Sequence, residues 1–561
     1  MKIAIAQLNP TVGDLDGNSQ QIMARAKQAV NQGARLLLTP ELSLCGYPPR
    51  DLLLDPSFVA AIAQALEKLA QALPSTLAVL VGTVEPNPAA DVQGGKPLFN
   101  SVAWLERGQI QQVFHKRLLP TYDVFDEDRY FESADRPNLF TLEGFRIGVT
   151  ICEDLWNDEE FWGRRLYEMN PVLELVQQSV DVIVNLSASP FCVGKQQVRE
   201  AMLQHSARRH HQPMIYVNQV GGNDDLIFDG RSLVLNRQGD VIAQGRAFEP
   251  DLFCVLFNPD KADLLPGPMA PDVREDNAEI WAALVLGVRD YARKCGFTQA
   301  VLGLSGGIDS ALVAAIAATA LGPENVLGVL MPSPYSSDHS ITDAQTLATN
   351  LGIASETIPI ANLMQAYDQS LRPLFMGTAP GVAEENIQAR IRGNLLMAIA
   401  NKFDRLLIST GNKSEIAVGY CTLYGDMSGG LAAIADVPKT RVYRLSTWLN
   451  SKSELIPPHI LTKPPSAELK PNQVDQDALP PYEVLDAILT GLIDQHQSYT
   501  QLVATGHDPE IVNRVIQLVQ RAEFKRRQSP PGLKITDRAF GTGWRMPIAA
   551  RQAHQATNPF I

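Results

Sequence analysis

The stretch from Ala300 to Ala320 constrains the fold more strongly than any other part of the chain. It begins with an apolar run of strand length and continues into a turn of serine and glycine, Ser305 to Ser310. An alanine-rich segment without a helix breaker, Ala311 to Ala320, follows the turn. The short apolar run predicts a strand, the serine and glycine residues a tight loop, and the alanine-rich segment a helix.

The loop between this strand and helix has the chemistry of a phosphate site. Gly306 and Gly307 carry no Cβ, so backbone N–H groups can close on a phosphate at the positive end of the helix dipole. Ser305 and Ser310 add hydroxyl donors. Asp309 is an anion inside an anion site, which favours a role as a ligand for Mg²⁺. The alternative is an ordinary tight turn with a capping serine.

The loop lacks the glycine patterns of Walker loops and dinucleotide-binding folds. Its sequence Ser-Gly-Gly-Ile-Asp-Ser resembles the signature of the PP-loop ATP pyrophosphatases. That family adenylylates a carboxylate or carbonyl oxygen and releases pyrophosphate, so the resemblance implies ATP as a co-substrate with Mg²⁺. The ATP-binding residues that it implies in this loop are Gly303, Leu304, Ser305, Gly306, Gly307, Ile308, Asp309 and Ser310. Thr410, at the end of a later predicted strand, could also contact ATP.

The composition narrows the class of substrate. The 561-residue chain has 48 basic and 61 acidic residues and a net charge of −13. This balance argues against relatives that modify tRNA, because those need a basic face, and it favours small-molecule substrates. The longest apolar run is too short to span a bilayer, and the six cysteines are widely spaced without a Cys-x-x-Cys pair. We therefore expect a cytoplasmic protein without nucleic-acid or membrane partners.

Residues 1–260 alternate strand-like apolar runs with helical stretches, which predicts an α/β domain. Glu41, Lys116 and Cys152 each follow directly on one of the predicted strands. Because strand ends on one edge of a sheet can converge, these three side chains are a candidate site. Taken singly, each has a simpler explanation as an inert core cysteine or a solvated charge.

The three residue types fit nucleophilic catalysis. A cysteine is only slightly ionised at neutral pH and needs a base and a nearby positive charge. Glu41 can accept the proton of the Cys152 thiol, and Lys116 can stabilise the oxyanion of a tetrahedral intermediate. The N–H of Glu153 is a second candidate oxyanion donor.

The segments around these residues resemble the nitrilase, or carbon–nitrogen hydrolase, superfamily. The matching stretches are Pro40–Leu42, His115–Pro120 and Ile151–Trp156. The resemblance implies an α-β-β-α sandwich that cleaves amides through a thioester, with Glu41, Lys116 and Cys152 as the catalytic residues.

Two further segments resemble the glutamine-using branch of that superfamily, Phe125–Phe131 and Asn185–Phe191. On that basis Tyr122, Ser189 and Lys195 bind the amino-acid end of glutamine. The alternative for each is a surface loop.

The proline-rich residues 261–272 predict a linker, and residues 273–561 a second domain. Strand and helix patterns alternate again after the linker, which predicts a doubly wound parallel sheet with its ligand at the carboxyl ends of the strands. Thr410 to Glu415 lies at such an end, where Glu415 could complete a metal site with Asp309. A helix N-cap with a first-turn acid explains that segment equally well.

Other segments of the second domain resemble the NAD synthetase family: Asn386–Arg390, Thr410–Glu415, Tyr424–Asp426 and Glu523–Gly532. The resemblance implies that Asn386, Arg390, Glu415 and Lys525 bind deamido-NAD, with Glu415 also near the metal. Leu423 and Gly430 depart from the family pattern, which has a lysine and an aspartate there, so the acceptor contacts at these positions stay open.

Residues 456–481 contain seven prolines and no periodicity. So long a segment inside a domain is typical of a lid or of disorder, and we interpret it as a lid that excludes water from an adenylate.

Over its whole length the chain resembles the glutamine-dependent branch of the NAD synthetases. The resemblance implies ATP-dependent amidation of deamido-NAD, with glutamate, AMP and pyrophosphate as the other products, and a homo-oligomer. Free ammonia would be mostly protonated at neutral pH and both sites lie on one chain, so we expect ammonia to pass between them through an internal tunnel. The alternatives are another glutamine-dependent PP-loop amidotransferase, acting on a different small carboxylate, and a degenerate nucleotide sensor. The first is disfavoured because known glutaminase halves of that kind use a Cys-His-Glu triad or an N-terminal cysteine, whereas residue 2 here is lysine.

Overall fold

The computed structural model describes residues 1–471 and 473–550, which form two compact units. The first unit ends at Gly296 and the second begins at Phe297. No helix in the described residues is long and apolar enough to cross a membrane.

The first unit is built from two sheets and their covering helices. Its strands are β1 (Lys2–Gln7), β2 (Leu36–Leu38), β3 (Ala78–Pro86), β4 (Leu98–Glu106), β5 (Gln109–His115), β6 (Leu139–Leu142), β7 (Phe145–Ile151), β8 (Val182–Ser187), β9 (Met214–Asn218), β10 (Val220–Asn223), β11 (Leu226–Asp229), β12 (Leu233–Leu235), β13 (Val241–Gln244), β14 (Asp251–Asn258) and β15 (Asp263–Leu265). Its helices are α1 (Leu15–Asn31), α2 (Pro56–Ala72), α3 (Ala90–Gln93), α4 (Glu159–Trp162), α5 (Pro171–Gln177), α6 (Lys195–His210) and α7 (Asp276–Lys294).

These elements form the predicted α-β-β-α sandwich. One sheet has the order β15-β14-β1-β2-β3-β4-β5 and the other β13-β12-β9-β8-β7-β6, while β10 and β11 form a separate hairpin. Successive side chains of a strand point to opposite faces, so Ile3 and Ile5 of β1 join the core between the sheets, whereas Ala4 and Ala6 join the core that includes α1 and α2. Helices α5 and α6 share a third core with the outer face of the second sheet.

The segment after the first domain is more structured than its proline content suggests. Within the predicted linker, Asp263–Leu265 pairs antiparallel with β14 at the sheet edge. Helix α7 packs against β10 and β11, so the break between the two units lies after Gly296, later than the predicted domain start at residue 273.

The second unit contains a five-stranded sheet in which every pairing is parallel. Its strands are β16 (Ala300–Gly303), β17 (Val326–Leu330), β18 (Ala354–Thr357), β19 (Leu406–Ser409) and β20 (Leu431–Ala432). Its helices are α8 (Ile308–Leu321), α9 (Asp338–Leu351), α10 (Ala361–Phe375), α11 (Val382–Phe403), α12 (Lys413–Val418), α13 (Lys439–Asn450), α14 (Pro458–Thr462), α15 (Tyr482–Leu489), α16 (Tyr499–Ala504), α17 (Pro509–Arg521) and α18 (Glu523–Arg526).

The strand order β18-β17-β16-β19-β20 confirms the predicted doubly wound sheet. The chain leaves the central strand β16 in one direction and later returns to its other side with β19. Ligands of such sheets bind where the direction changes, at the carboxyl ends of the strands. The serine- and glycine-rich loop lies at that point.

Short 3₁₀ turns occur at Arg50–Leu54, Glu127–Arg129, Cys152–Leu155, Pro323–Asn325 and Asp475–Asp477, and a π-helical turn at Thr490–Asp494.

Candidate active sites

The first candidate site lies where the two sheets of the sandwich meet. Glu41 and Lys116 follow β2 and β5 of one sheet, and Cys152 follows β7 of the other. The loop that carries Glu41 passes so closely over β3 that a Cβ on Gly82 would come within 2.3 Å of Pro40 O and Leu42 N. Glycine at position 82 is therefore required for the loop to hold Glu41 at this place.

Glu41 and Lys116 form a completely buried ion pair. Lys116 Nζ lies 2.7 Å from Glu41 Oε1 and 2.8 Å from the carboxylate of Glu127. Asn100 Nδ2 donates to Glu41 Oε1 at 2.8 Å, and the N–H of Ala188 donates to Glu41 Oε2 at 3.0 Å. These contacts fix the orientation of the carboxylate and the ammonium group before any ligand arrives.

The electrostatics of this group are set by burial. Burial disfavours the charged form of Lys116, but the carboxylates of Glu127 and Glu41 outweigh it and raise the pKa of the ammonium group well above its ordinary value. Burial raises the pKa of the Glu127 carboxyl to about 7, with Lys116 acting in the opposite sense. Lys116 therefore stays charged at neutral pH.

Cys152 begins a 3₁₀ turn with a backbone φ of +43°, a left-handed conformation that is uncommon for a residue with a side chain. Its side chain is 4% exposed. Burial and the charge of Glu41 raise the pKa of its thiol, while the charge of Lys116 lowers it. The thiol is therefore protonated at rest and depends on a base for activation.

Glu153 is a buried carboxylate beside this cysteine, and two of the predicted glutamine-binding residues surround it. Tyr122 Oη donates to the carboxylate at 3.0 Å, and Tyr167 Oη donates at 2.9 Å. Burial raises the pKa of the Glu153 carboxyl overall, while the positive charges of Lys116 and Lys195 lower it. Lys195 Nζ also lies 5.7 Å from the ring centre of Trp156.

Ser189, the third predicted glutamine-binding residue, is 2% exposed and follows the end of β8. Its N–H donates to Asn218 Oδ1 at 2.9 Å. The preceding residue, Ala188, is the one whose N–H binds Glu41.

The second candidate site is a cavity of about 590 Å³ at the carboxyl ends of β16, β17 and β19. Gly303 to Ser310, except for Gly306, line it together with Thr410 and Glu415. A Cβ on Gly306 would lie 2.3 Å from Ser340 O, and its φ is +75°, so the loop geometry requires glycine there. The hydroxyls of Ser305 and Ser310 lie 3.1 Å apart, and Ser305 Oγ accepts from the N–H of Gly307 at 3.2 Å.

Asp309 and Glu415, predicted as metal ligands, come together around Lys439. Lys439 Nζ pairs with Asp309 Oδ2, and lies 3.1 Å from Glu415 Oε1. Asn412 Nδ2 donates to Asp309 Oδ1 at 3.0 Å, while Asn412 Oδ1 caps α12 by accepting from Glu415 N. The segment thus contains the N-cap of α12, and it also places Glu415 close to Asp309. Burial and the charge of Asp309 raise the pKa of Glu415 to about 8, with Lys439 opposing them.

Described residues of the predicted lid, 463–470 and 473–475, line the same cavity. Lys463 Nζ donates to Ser340 Oγ at 2.9 Å, and Ser340 Oγ donates to Glu468 Oε1 at 2.7 Å. Lys463, Lys470 and Arg392 add positive charge that the loop itself lacks.

The remaining predicted acceptor residues gather outside the lining of this cavity. Lys525 Nζ donates to Gly419 O at 2.8 Å and to Cys421 O at 2.7 Å. Asn386 Oδ1 accepts from Thr422 Oγ1, and Arg390 Nε donates to Leu423 O. All three residues thus contact the segment 419–423. Leu423 contributes to these contacts through its backbone carbonyl group, which accepts from Arg390. Gly430 N donates to Leu407 O.

Sequence reasoning missed Glu127 and Lys439. Glu127 lies in a segment already singled out for its resemblance, but nothing in its local pattern indicates that it reaches Lys116. Lys439 did carry a signal, because it begins α13 and a cation at a helix N-terminus opposes the dipole. A residue so placed needs a compensating partner, and the carboxylates of Asp309 and Glu415 provide it.

Comparisons with known proteins identify the family of each unit. Residues 2–266 match the carbon–nitrogen hydrolase family and residues 280–529 the NAD synthase family. The chain is 61% identical over 547 residues to a glutamine-dependent NAD(+) synthetase of Synechocystis sp., with 98% of each chain covered. It is 44% identical to one of Thermotoga maritima, with 98% of this chain and 99% of the relative covered.

A solved glutamine-dependent NAD+ synthetase of Acinetobacter baumannii, in complex with ADP, has 41% identity and a TM-score of 0.76 over 98% of each chain. One of Cytophaga hutchinsonii, at 23% identity, shares the fold with a TM-score of 0.82 over 98% of each chain. With two family matches in tandem and relatives this similar along nearly the whole length, the chain belongs to the glutamine-dependent NAD(+) synthetases.

Proposed function

We propose that the first unit releases ammonia from glutamine with Cys152 as nucleophile, Glu41 as base and Lys116 as oxyanion stabiliser. The observation that carries this proposal is the fully buried Glu41–Lys116 pair beside a protonated thiol. Glu41 takes the thiol proton as Sγ attacks the side-chain amide carbon, and returns it to the departing ammonia. The ammonium group of Lys116 faces the negative charge on the tetrahedral oxygen. Water then hydrolyses the thioester to glutamate and restores the thiol.

The amino-acid end of glutamine is bound around Glu153. Its buried carboxylate lies beside the nucleophile and suits the α-ammonium group of the substrate. Lys195, which lies close enough to lower the pKa of Glu153, suits the α-carboxylate, and Tyr122 and Ser189 complete the pocket. A substrate must therefore carry both charges to bind.

The second unit adenylylates the nicotinic acid carboxylate of deamido-NAD. The Ser305–Ser310 loop and the N-terminus of α8 bind the phosphates of ATP, and Lys439, Lys463 and Arg392 neutralise them. A carboxylate oxygen attacks the α-phosphorus and pyrophosphate leaves. Ammonia then attacks the activated carbon, AMP leaves, and NAD is formed. Thr410 contacts ATP, while Asn386, Arg390 and Lys525 bind the dinucleotide acceptor.

The residues at this cavity fit a bound Mg²⁺. Two carboxylates, Asp309 and Glu415, gather beside the phosphate loop around a single ammonium group, and hard oxygen ligands of this kind suit Mg²⁺. They would hold the ion, which would neutralise charge on the ATP phosphates. Lys439 keeps the two carboxylates together at rest.

A second copy of the chain covers α10 and α11 in this proposal. The large apolar side chains of Leu374, Met376 and Val382 are 69–78% exposed, and α10 buries none of its residues within the described chain. Such a surface favours association. Light scattering of the purified protein tests this part, and a monomer at micromolar concentration would exclude it.

The decisive experiment is end-point analysis with ATP, Mg²⁺, glutamine and deamido-NAD. We expect NAD, AMP and glutamate in equal amounts. Glutamate without AMP or NAD would contradict the proposed acceptor, and AMP without glutamate would contradict the proposed nitrogen source.

A further inference from the structure

Two arginines in the first unit are completely buried and meet at one carboxylate. Arg199 of α6 places both of its terminal nitrogens 3.2 Å from the oxygens of Asp229, and Arg231 NH1 lies 3.6 Å from Asp229 Oδ2. Both arginine side chains are fully buried, and Asp229 is 1% exposed. We call Arg199, Asn218, Asp229, Arg231 and Glu279 the Asp229 cluster.

The Asp229 cluster holds the backbone of Ser189. A carboxylate can only accept hydrogen bonds, so Asp229 requires the amide nitrogen of Asn218 to point toward it, at 3.3 Å. The amide oxygen of Asn218 then faces the N–H of Ser189, at 2.9 Å. Arg199 NH2 reaches Ser189 Oγ at 3.5 Å. The amide nitrogen of Asn218 also donates to Gly230 O at 3.1 Å and to Ser189 O at 3.4 Å, so Asp229 and these two carbonyl oxygens together fix the orientation of the Asn218 amide.

This backbone also touches the catalytic base. Ala188, next to Ser189, donates its N–H to Glu41 Oε2 at 3.0 Å. A shift of the two-residue segment would therefore alter the glutamine pocket and the orientation of Glu41 together.

On its other side the cluster is attached to α7. Arg231 NH2 lies 2.7 Å from Glu279 Oε1 in the first turn of α7, and Arg231 also pairs with Asp272 at 3.3 Å. Glu279 is 2% exposed. The buried guanidinium group of Arg231 thus contacts both Asp229 and Glu279 of α7, so a shift of α7 would move a partner of Asp229.

We propose that Asp229 is a positioning residue for glutamine hydrolysis, which fixes the Ala188–Ser189 backbone against the substrate and Glu41. Because Arg231 also binds Glu279, the position of the Ala188–Ser189 backbone depends on the position of α7. The inference rests on the proposed role of Ser189 in binding glutamine.

The test is Asp229→Asn in the full-length enzyme, which keeps the shape of the side chain and removes the negative charge that faces Asn218 and Arg199. We expect the glutamine KM to rise about tenfold with a smaller loss of kcat, because binding geometry is the main loss. Ammonium-dependent NAD synthesis should stay within about twofold of the parent, since no residue of the second unit is changed.

Labelling of Cys152 separates positioning from a general loss of structure. The rate of labelling by diazo-oxo-norleucine depends on the pocket for the amino-acid end of glutamine, because the reagent is itself an amino acid. The rate of labelling by iodoacetamide depends on the reactivity of the thiol alone. We expect Asp229→Asn to slow the first reaction about tenfold and to change the second by less than about twofold. An equal fall in both rates, or an unchanged KM, would overturn the proposal.

Glu279→Gln is the second variant, because it weakens the hold on Arg231 without touching the pocket. We expect about a threefold rise in KM, and no rise would overturn the proposal even if Asp229→Asn fails to fold. Glu106→Gln, which neutralises another buried partner of an arginine in the same unit, is the matched control and should leave KM unchanged. Ser189→Ala separates the proposed glutamine pocket from the proposed positioning role of Asp229. If Ser189→Ala leaves the glutamine KM unchanged, the pocket is misassigned. If Ser189→Ala raises this KM while Asp229→Asn does not, only the positioning role is wrong.

Discussion

The surroundings of Cys152, the proposed nucleophile, oppose its ionisation. Burial and the carboxylate of Glu41 both raise the pKa of its thiol, and Lys116 only partly offsets them. Glu41 is nevertheless the group that we propose removes the proton. The arrangement keeps the thiol neutral until an amide carbon is in place to receive the sulfur.

This balance predicts the pH dependence of Cys152 alkylation by iodoacetamide. Because its pKa is raised, the rate should climb with pH through about 9 without a plateau below it. Glu41→Gln removes a negative neighbour, so the pKa falls and the profile moves to lower pH. Lys116→Met removes a positive neighbour and moves it to higher pH. Mass spectrometry of the labelled peptide measures each rate, and shifts in the opposite directions would contradict the assigned electrostatics.

In the second site, Lys439 is the cation that pairs with two neighbouring carboxylates, those of Asp309 and Glu415. Without it, Asp309 and Glu415 would repel each other beside the phosphate loop. We expect Lys439→Met to lower NAD synthesis about 100-fold or more with either nitrogen source, while glutamine hydrolysis is retained. Pyrophosphate exchange into ATP in the presence of deamido-NAD measures the adenylylation step directly. The exposed Lys452→Met is the control, and equal loss in both variants would speak against a specific role.

Among the elements, the loop between β16 and α8 has a geometry that depends on a glycine at position 306. Gly306 has a left-handed φ and its missing Cβ leaves room for Ser340 O of α9. The phosphate loop and the start of α9 therefore pack as one piece. That contact also places Ser340 where Lys463 and Glu468 of the predicted lid reach it.

Gly306→Ala should consequently cost more than its backbone strain of about 1–2 kcal/mol. The added methyl would displace α9 from the loop, so we expect adenylylation to fall about 100-fold or more while glutamine hydrolysis is unchanged. Gly377→Ala is the matched control, because its φ of +84° carries the same strain but a Cβ there meets no atom within 4 Å. Chemical denaturation and pyrophosphate exchange measure the two effects. Similar losses in both variants would show that strain alone is responsible.

The elements also show what the sequence could predict and why. The positions of Glu41, Lys116 and Cys152 follow from strand ends, since a strand that stops at a polar residue marks a sheet edge without any knowledge of the partner strands. The strand–loop–helix of residues 300–320 is equally local. Glu127 escaped prediction because it reaches Lys116, 11 residues earlier, only through the turns between them, and Lys439 because its partner Asp309 lies 130 residues away in the sequence. The same reason explains Asp263–Leu265, whose strand exists only because β14 offers an edge.

At the scale of the whole molecule, each unit has its own core and its own candidate site. The core between the two sheets and the cavity-lining residues of the second unit share no member. We therefore expect a change confined to one site to leave the chemistry of the other intact.

Cys152→Ala tests this independence. Glutamine-dependent NAD synthesis should fall about 10,000-fold or more, because the nucleophile is lost. Synthesis from ammonium at saturating concentration should stay within about twofold of the parent. Cys254→Ala, a half-buried thiol of β14, is the control and should retain both activities. Loss of both activities in Cys152→Ala alone would contradict the division of labour.

The buried, neutral state of Cys152 also has a consequence for oxidative stress. Peroxides attack thiolates, and many catalytic cysteines are vulnerable because their pKa is low and their sulfur exposed. Here Cys152 is 4% exposed and the pKa of its thiol is raised, so hydrogen peroxide should inactivate the resting enzyme slowly. Bound glutamine promotes deprotonation of the thiol, so we expect the sulfur to become reactive only when glutamine is present. Peroxide inactivation followed by mass spectrometry of Cys152 checks this, and rapid sulfenic acid formation without glutamine would refute it. An enzyme so protected could continue to make NAD while the cell's exposed thiols are being oxidised.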